Sequence, residues 1–289
     1  MSKRVRERKR ESDKRGRRTS TPRSSAASPL DRFTCYEKCV QNPERLVPFL
    51  YAVHAGRPRV LREDFCGTGG VCRAWARGDG LPEDAPGDLL AIGVDRDPEP
   101  LERMQGQPNV RAVAADVLEC PARADIISAT NFPIGYWHAR AELLEYLRLC
   151  RKRLRNGGVF VCDTYGGATA FITGTLQRDI WTADGLRIHY TWEQREADPI
   201  TAMVTDVLHF RATRRGEVVY QQADAFVYRW RLWSVPELRE ALVEAGFRRI
   251  EVYAELGDAL DTQGKLYVRP VERPEDLPES FVVLLAARG

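Results

Sequence analysis

From residue 59 to residue 167 the chain repeats one rhythm: a short apolar run, a turn, and a stretch with helical spacing. The runs are RVLRE (59–63), LLAIGVD (89–95), VRAVAAD (110–116), ADIISAT (124–130) and VFVCDTYGG (159–167). Between them lie the helical stretches VCRAWARG, PEPLERM and ARAELLEYLRLCRKRLRNGG, the last predicted to run to its glycine stop. Strands that are apolar throughout and alternate with helices belong to a parallel sheet covered on both faces. The pattern predicts a doubly wound α/β domain. Another helix is predicted ahead of the first strand, in NPERLVPFLYAVHAG, with Asn42 as cap, Pro43 at the first position and Gly56 at the end.

After Gly167 the rhythm changes to period-two alternation in LRIHYTWEQ, TAMVTDVLHFRAT and EVVYQQADAFVYRWRLW. Ile188, Tyr190 and Trp192 fall on one side of the first of these runs, and Phe226, Tyr228 and Trp230 on one side of the last. With turn sequences between them and no helix, residues 168–232 are expected to form an inserted antiparallel β lid. SVPELREALVEAGF then restores the helical pattern between a capping Ser234 and Gly246, and RRIEVYAE and ESFVVLLAAR supply two final strands.

Three of the early runs end in acids, Glu63, Asp95 and Asp116. Ligands of a parallel sheet sit beyond the carboxyl ends of the strands near the switch in strand order, so these acids are expected to line one crevice. Glu63 leads into the turn DFCGTGG, where Gly67, Gly69 and Gly70 let backbone approach a ligand closely. The set favours a nucleoside with hydroxyls and N–H groups over a pyrophosphate. Position 72 is Cys where a dinucleotide fingerprint has its third glycine, and an acid at 63 repels a pyrophosphate while accepting hydrogen bonds from an ammonium group. Asp95 is placed to hold ribose hydroxyls.

The ordered series LREDFCGTGG, AIGVDRDPEPLERM, AADVLEC, NFPIGYW and LRNGGVFVCDTYGG resembles the motif series of the class I S-adenosylmethionine-dependent methyltransferases, over about Leu46 to Gly289. The resemblance implies a Rossmann-like seven-stranded sheet whose last strand is antiparallel, S-adenosylmethionine as cofactor, and methyl transfer as the activity. It also implies that Glu63 and the backbone of Gly67 and Gly69 meet the methionine part, and that Asp95, with Arg96 beside it, meets the ribose. Asp116 and Val117 would meet the adenine, and Asn131 stands at the fourth motif. Phe65, in the same cofactor loop, replaces the family's usual first glycine, which leaves the contacts of Arg62 and Asp64 open. YTWEQ, AFVYRWRLWSVPELREALVEAGF and YEKCVQNPE are similar to a bacterial and plant subgroup from which no substrate follows.

Methyl transfer from a sulfonium is an in-line displacement that draws mainly on alignment and water exclusion. An amine acceptor must arrive as the neutral base, and His138, Tyr136 and Asp163 are candidates to take the proton. Tyr165 at the end of the fifth strand and Trp192, Tyr228 and Arg231 of the insertion are candidate acceptor contacts, the alternative for the aromatics being packing of the insertion onto the core. Arg231 and Glu193 either pair with each other or grip a charged substrate. A lid that encloses the pocket favours a small-molecule methyl acceptor at nitrogen or oxygen. An RNA or protein acceptor is the alternative.

That alternative rests on residues 1–28, which hold eleven Lys and Arg against three Asp and Glu, so the rest of the chain is net acidic although the whole carries +3. A segment this polar cannot offset its ordering entropy by burial. It is expected to be a disordered tail on a single domain spanning 29–289, with nucleic acid as its conceivable partner. No run reaches the 18 or so apolar residues of a membrane helix, and a cytoplasmic protein is expected. The seven cysteines are odd in number, and neither Cys35 with Cys39 nor Cys66 with Cys72 has a second pair at zinc spacing, so free thiols and no metal are expected.

Overall fold

A computed structural model describes residues 30–254, 256–257, 259–260 and 266–289; the basic segment 1–28 lies outside the described residues. Asp31 opens α1 (Arg32–Cys39) by accepting the Thr34 N–H at 2.8 Å, a helix that the patterning does not predict. In α2 (Pro43–His54) Asn42 caps the first turn, and Ala55 takes the left-handed φ of 57° that closes it, one residue before Gly56. There follow β1 (Val60–Asp64), α3 (Gly70–Arg77), β2 (Leu90–Asp95), α4 (Pro98–Leu101), β3 (Val110–Ala114), β4 (Ala124–Ala129), α5 (Arg140–Arg153) and β5 (Leu154–Gly167). The insertion contributes β6 (Gly174–Trp181), β7 (Leu186–Asp198), β8 (Met203–Arg214) and β9 (Glu217–Arg231). The chain ends with α6 (Val235–Glu244), β10 (Arg249–Tyr253), the short β11 (Ala259–Leu260) and β12 (Leu266–Tyr267), and β13 (Ser280–Arg288).

The main sheet has the order β10-β13-β5-β4-β1-β2-β3, and only β13 runs antiparallel to its neighbours. This is the expected doubly wound, seven-stranded arrangement with an antiparallel last strand. β1 pairs in parallel with both β2 and β4, so the strand order switches beside it and the crevice opens at its carboxyl end. α2 and α3 cover one face through Phe49, Leu50 and Trp75, and α5 and α6 cover the other through Tyr146, Leu147 and Leu242, all fully buried. Truncation of a buried ring such as Trp75 or Phe160 to Ala costs ~3–5 kcal/mol in a core of this kind.

Three local differences from the patterning have physical causes. α5 stops at Arg153 and not at the glycines: Leu154 turns extended (ψ 141°), is buried and pairs with Ala124, while Arg153 turns its guanidinium to the carbonyls of Val117 and Leu118. β3 ends at Ala114, which puts Asp116 in the loop beyond it. The second sheet has four antiparallel strands, β6-β7-β8-β9, where the alternation marks three. β6 is an edge strand exposed along almost its whole length and carries no buried face to read. α1 packs on this sheet, its Cys35 and Cys39 buried against Leu186, Ile188 and Tyr190.

Candidate functional site

Glu63 leaves β1 facing the crevice and is 4% exposed. Its Oε2 accepts the Cys72 N–H at 3.1 Å and the Cys72 thiol at 3.0 Å, and no protein donor among the described residues reaches Oε1. Burial pushes its carboxyl up to about 7, against the opposing pull of the Cys72 bonds. Gly67 takes φ 51° and donates its N–H to Asp95 Oδ2 at 2.8 Å. A Cβ there would meet nothing within 4 Å, so the turn offers bare backbone to open space. Gly69 (φ 69°) lies behind it, where a Cβ would fall 1.9 Å from Met104 Sδ. The Asp95 carboxylate also accepts the Asp97 N–H at 3.0 Å, and Asp116 accepts the Leu118 N–H at 2.8 Å.

Beneath this turn lies a fully buried ion pair. Arg62 Nε donates to Asp64 Oδ1 at 2.7 Å, and the other Asp64 oxygen accepts the Tyr146 hydroxyl at 3.0 Å. Phe65 has a left-handed φ of 57°, and its ring meets those of Tyr136, Trp137 and Tyr146 at centroid distances of 5.9, 6.2 and 6.0 Å. A residue with a side chain thus stands where a glycine is usual, and it ties the turn to the loop that follows β4.

That loop is held by Asp163. Asn131 and Phe132 both have positive φ, 70° and 66°, and the Asp163 carboxylate accepts both of their N–H groups, at 2.7 and 2.8 Å. Left-handed conformation is costly for such residues, and the paired charge-assisted bonds offset it. Burial pushes the Asp163 carboxyl up to about 7, and the two N–H bonds pull it down. Further along the loop, His138 Nε2 lies 3.0 Å from the Arg229 carbonyl.

Together these segments enclose a crevice of about 550 Å³, within the ~300–1,000 Å³ usual for small-ligand sites. Thr68 Oγ1, Thr130 Oγ1, Trp137 Nε1 and Gln41 Oε1 on its lining are buried and have no hydrogen-bond partner among the described residues. Buried polar atoms are nearly always paired, so their concentration around one cavity makes it the candidate ligand site.

No family profile and no curated protein matches the sequence. Solved structures do match. A S-adenosylmethionine-dependent methyltransferase from Clostridium acetobutylicum superimposes with a TM-score of 0.61 at 15% identity, over 89% of this chain and 98% of that one. The sugar N-methyltransferase KedS8 from Streptoalloteichus gives 0.61 at 17% identity, over 95% and 100%. CalS10 from Micromonospora echinaspora, an amino pentose methyltransferase, gives 0.59 at 15% identity, over 89% and 96%. The chain has the class I methyltransferase fold.

On that fold the predicted residues separate into two groups. Glu63, Phe65, Gly67, Asp95, Arg96, Asp116, Val117 and Asn131 line the crevice, as do Tyr136, His138 and Tyr228. Gly69, Asp163, Tyr165, Trp192 and Arg231 do not. Asp163 supports the loop from behind. Tyr165 donates its hydroxyl to Asp206 at 2.9 Å and meets the Trp192 ring edge-on at 6.2 Å. Arg231 donates to the His138 carbonyl at 3.1 Å and pairs with Glu237, while Glu193 pairs with Arg195 and His209, so Arg231 and Glu193 are not partners.

The far wall is aromatic. Phe226, Tyr228 and Trp230 project from one face of β9, with Tyr228 and Trp230 stacked at 4.5 Å and Tyr136 edge-on to Trp230 at 6.2 Å. Gly135 accommodates the Trp230 side chain, since a Cβ there would lie 2.6 Å from its Cβ and 2.7 Å from its ring. The patterning misses α1, whose Phe33 and Tyr36 complete the lining. Arg103 grips Asp31 at 2.6 Å and Thr34 at 3.1 Å, and Arg73 grips Glu37 at 2.8 Å, fastening α1 across the crevice. The spacing of Phe33 and Tyr36 after Asp31 carried that information.

Proposed function

We propose that the crevice binds S-adenosylmethionine and that the protein transfers its methyl group to a nitrogen or oxygen of a small molecule held under the inserted sheet. The observation that carries this reading is the convergence of Glu63, Asp95 and Asp116 with the bare Gly67 backbone around one cavity of about 550 Å³. The residues fit the group. Glu63 keeps one oxygen for an ammonium, each Asp95 oxygen has accepted one N–H and has a lone pair left for a ribose hydroxyl, and Asp116 faces the same space for an exocyclic amine. When bound, the cofactor supplies a methyl group activated by its sulfonium.

The chain's own work is placement and exclusion of water. Tyr136, Trp137 and the β9 aromatics form walls around the reacting end, and α1 roofs it. His138 is the proposed proton acceptor. Its Nε2 faces the Arg229 carbonyl, which can only accept, so the neutral ring carries its hydrogen on Nε2 and its lone pair on Nδ1. Tyr136 orients the acceptor, and Asp163 acts through the loop it holds. The named activities of KedS8 and CalS10 support an amino sugar as the first acceptor to try. Tyr165, Trp192 and Arg231 stand behind the wall and would shape it indirectly.

The test is S-adenosylhomocysteine release with a panel of amino sugars, small amines, hydroxylated metabolites, RNA and protein. Turnover with a small molecule, diminished in His138→Ala, supports the reading. Turnover confined to RNA or protein, and lost when residues 1–28 are removed, contradicts it.

A further inference from the structure

Arg62, on the strand that leads into the glycine turn, is fully buried. Its guanidinium makes four hydrogen bonds: to Asp64 at 2.7 Å, and to the carbonyls of Val117, Cys120 and Ala122 at 3.0, 2.8 and 3.0 Å. Arg153, from the last turn of α5, donates to the Val117 carbonyl at 2.7 Å and to that of Leu118. The loop that follows β3 is therefore wound around two guanidinium groups. Asp116 and Val117, which line the crevice, follow Ala115 at the start of that loop. A buried charge is costly unless paired and fully hydrogen-bonded. Here Asp64 supplies the opposite charge and Tyr146 completes its bonding. So many carbonyls turned onto one cation leave the loop little freedom to rotate its peptides.

We propose that Arg62 and Arg153 are positioning residues that set the nucleobase specificity of this crevice. They hold the Val117 peptide, and with it the Asp116 carboxylate, in the one orientation that accepts a hydrogen bond from an exocyclic amine. The proposal rests on the reading of the crevice as a cofactor site. An adenine ring donates from its amine to Asp116, whereas a hypoxanthine ring presents a carbonyl there and meets the carboxylate as acceptor against acceptor. Discrimination of this kind depends on a fixed partner, since a free loop would turn away and take either base.

The test compares S-adenosylhomocysteine with its inosine counterpart, S-inosylhomocysteine, by calorimetric titration. The wild-type protein is expected to prefer the adenine ligand by at least about tenfold, or roughly 1.4 kcal/mol. Two variants are measured: Arg153→Met, and Arg62→Met with Asp64→Asn so that no unpaired acid is left buried. Both are expected to bind both ligands with the preference reduced to about threefold or less. If the paired variant does not fold, Arg153→Met decides alone. Lower thermal stability with the preference intact would show that the arginines serve only the fold, and would overturn the proposal. So would a wild-type protein that binds both ligands equally. Failure of the wild type to bind either ligand would overturn the cofactor reading and this proposal together.

Discussion

At the residue scale the crevice is governed by carboxyl groups with distinct environments. Glu63 lies in a buried site that pushes its carboxyl up to about 7. An ammonium ligand favours the ionised form, so binding lowers that value and expels a proton wherever the free group still holds one. Titration with S-adenosylhomocysteine at pH 6 is expected to release a fraction of a proton, seen as a dependence of heat on buffer ionisation enthalpy. At pH 8 the release should be close to nil, and equal release at both values would place the ammonium elsewhere. Gly69→Ala is expected to cost at least ~1–2 kcal/mol of stability, through its positive φ and the collision with Met104, measured as a lower urea midpoint. Glu63, Asp95 and Asp116 were legible in the sequence because strand, acid and turn are neighbours in it. Arg62 was not: a buried guanidinium and a solvated one look alike in sequence, and its partners at 117, 120 and 122 are far along the chain. Asp163 looked like another crevice acid for the same reason, although its two bonds go to the loop after β4.

Among the elements, α1 is the one that closes the crevice. It is eight residues long, too short to be a stable helix by itself. Its place depends on burial against β7 and on the grip of Arg103 and Arg73 on its polar side. Arg103→Met should therefore loosen the roof without disturbing the core. The expected result is several-fold faster dissociation of S-adenosylhomocysteine in stopped flow, with the unfolding midpoint lowered by less than the equivalent of about 1–2 kcal/mol. An unchanged dissociation rate would mean that α1 does not gate the site. Most helices and strands of the main sheet were readable from periodicity because they bury a regular face, and the edge strand β3, which has no buried residue, was readable from its place in the strand–helix rhythm. α1 and β6 were not, because one divides its apolar residues between two surfaces and the other is an exposed edge.

Across the whole molecule, buried acids shape the response to pH. Burial pushes Glu63, Asp163 and Asp206 up to about 7 each. Between their ordinary values and 7 the folded chain holds protons that the unfolded chain has released, so stability falls as pH rises through that window. Exposed, bonded acids such as Asp184 and Asp224 are shifted down, so what they contribute is lost only as pH falls below the ordinary carboxylate value and stays nearly constant across the window. His54, lowered by burial, works in the opposite sense and is outnumbered. The urea midpoint is expected to be higher at pH 5 than at pH 8, and the reverse order would mean these carboxyls are ionised in the folded state. None of the helices among the described residues is long and apolar enough to cross a membrane.

The central claim, that the acids around the Gly67 turn hold S-adenosylmethionine, is tested most directly by calorimetric titration of the wild type and Asp95→Ala with S-adenosylmethionine and S-adenosylhomocysteine. Micromolar binding of both by the wild type, on the order of −8 kcal/mol, is expected. The variant is expected to lose about tenfold to a hundredfold in affinity, as its charge-assisted hydrogen bonds disappear. Absence of binding by well-folded wild-type protein, or equal binding by the variant, would contradict it.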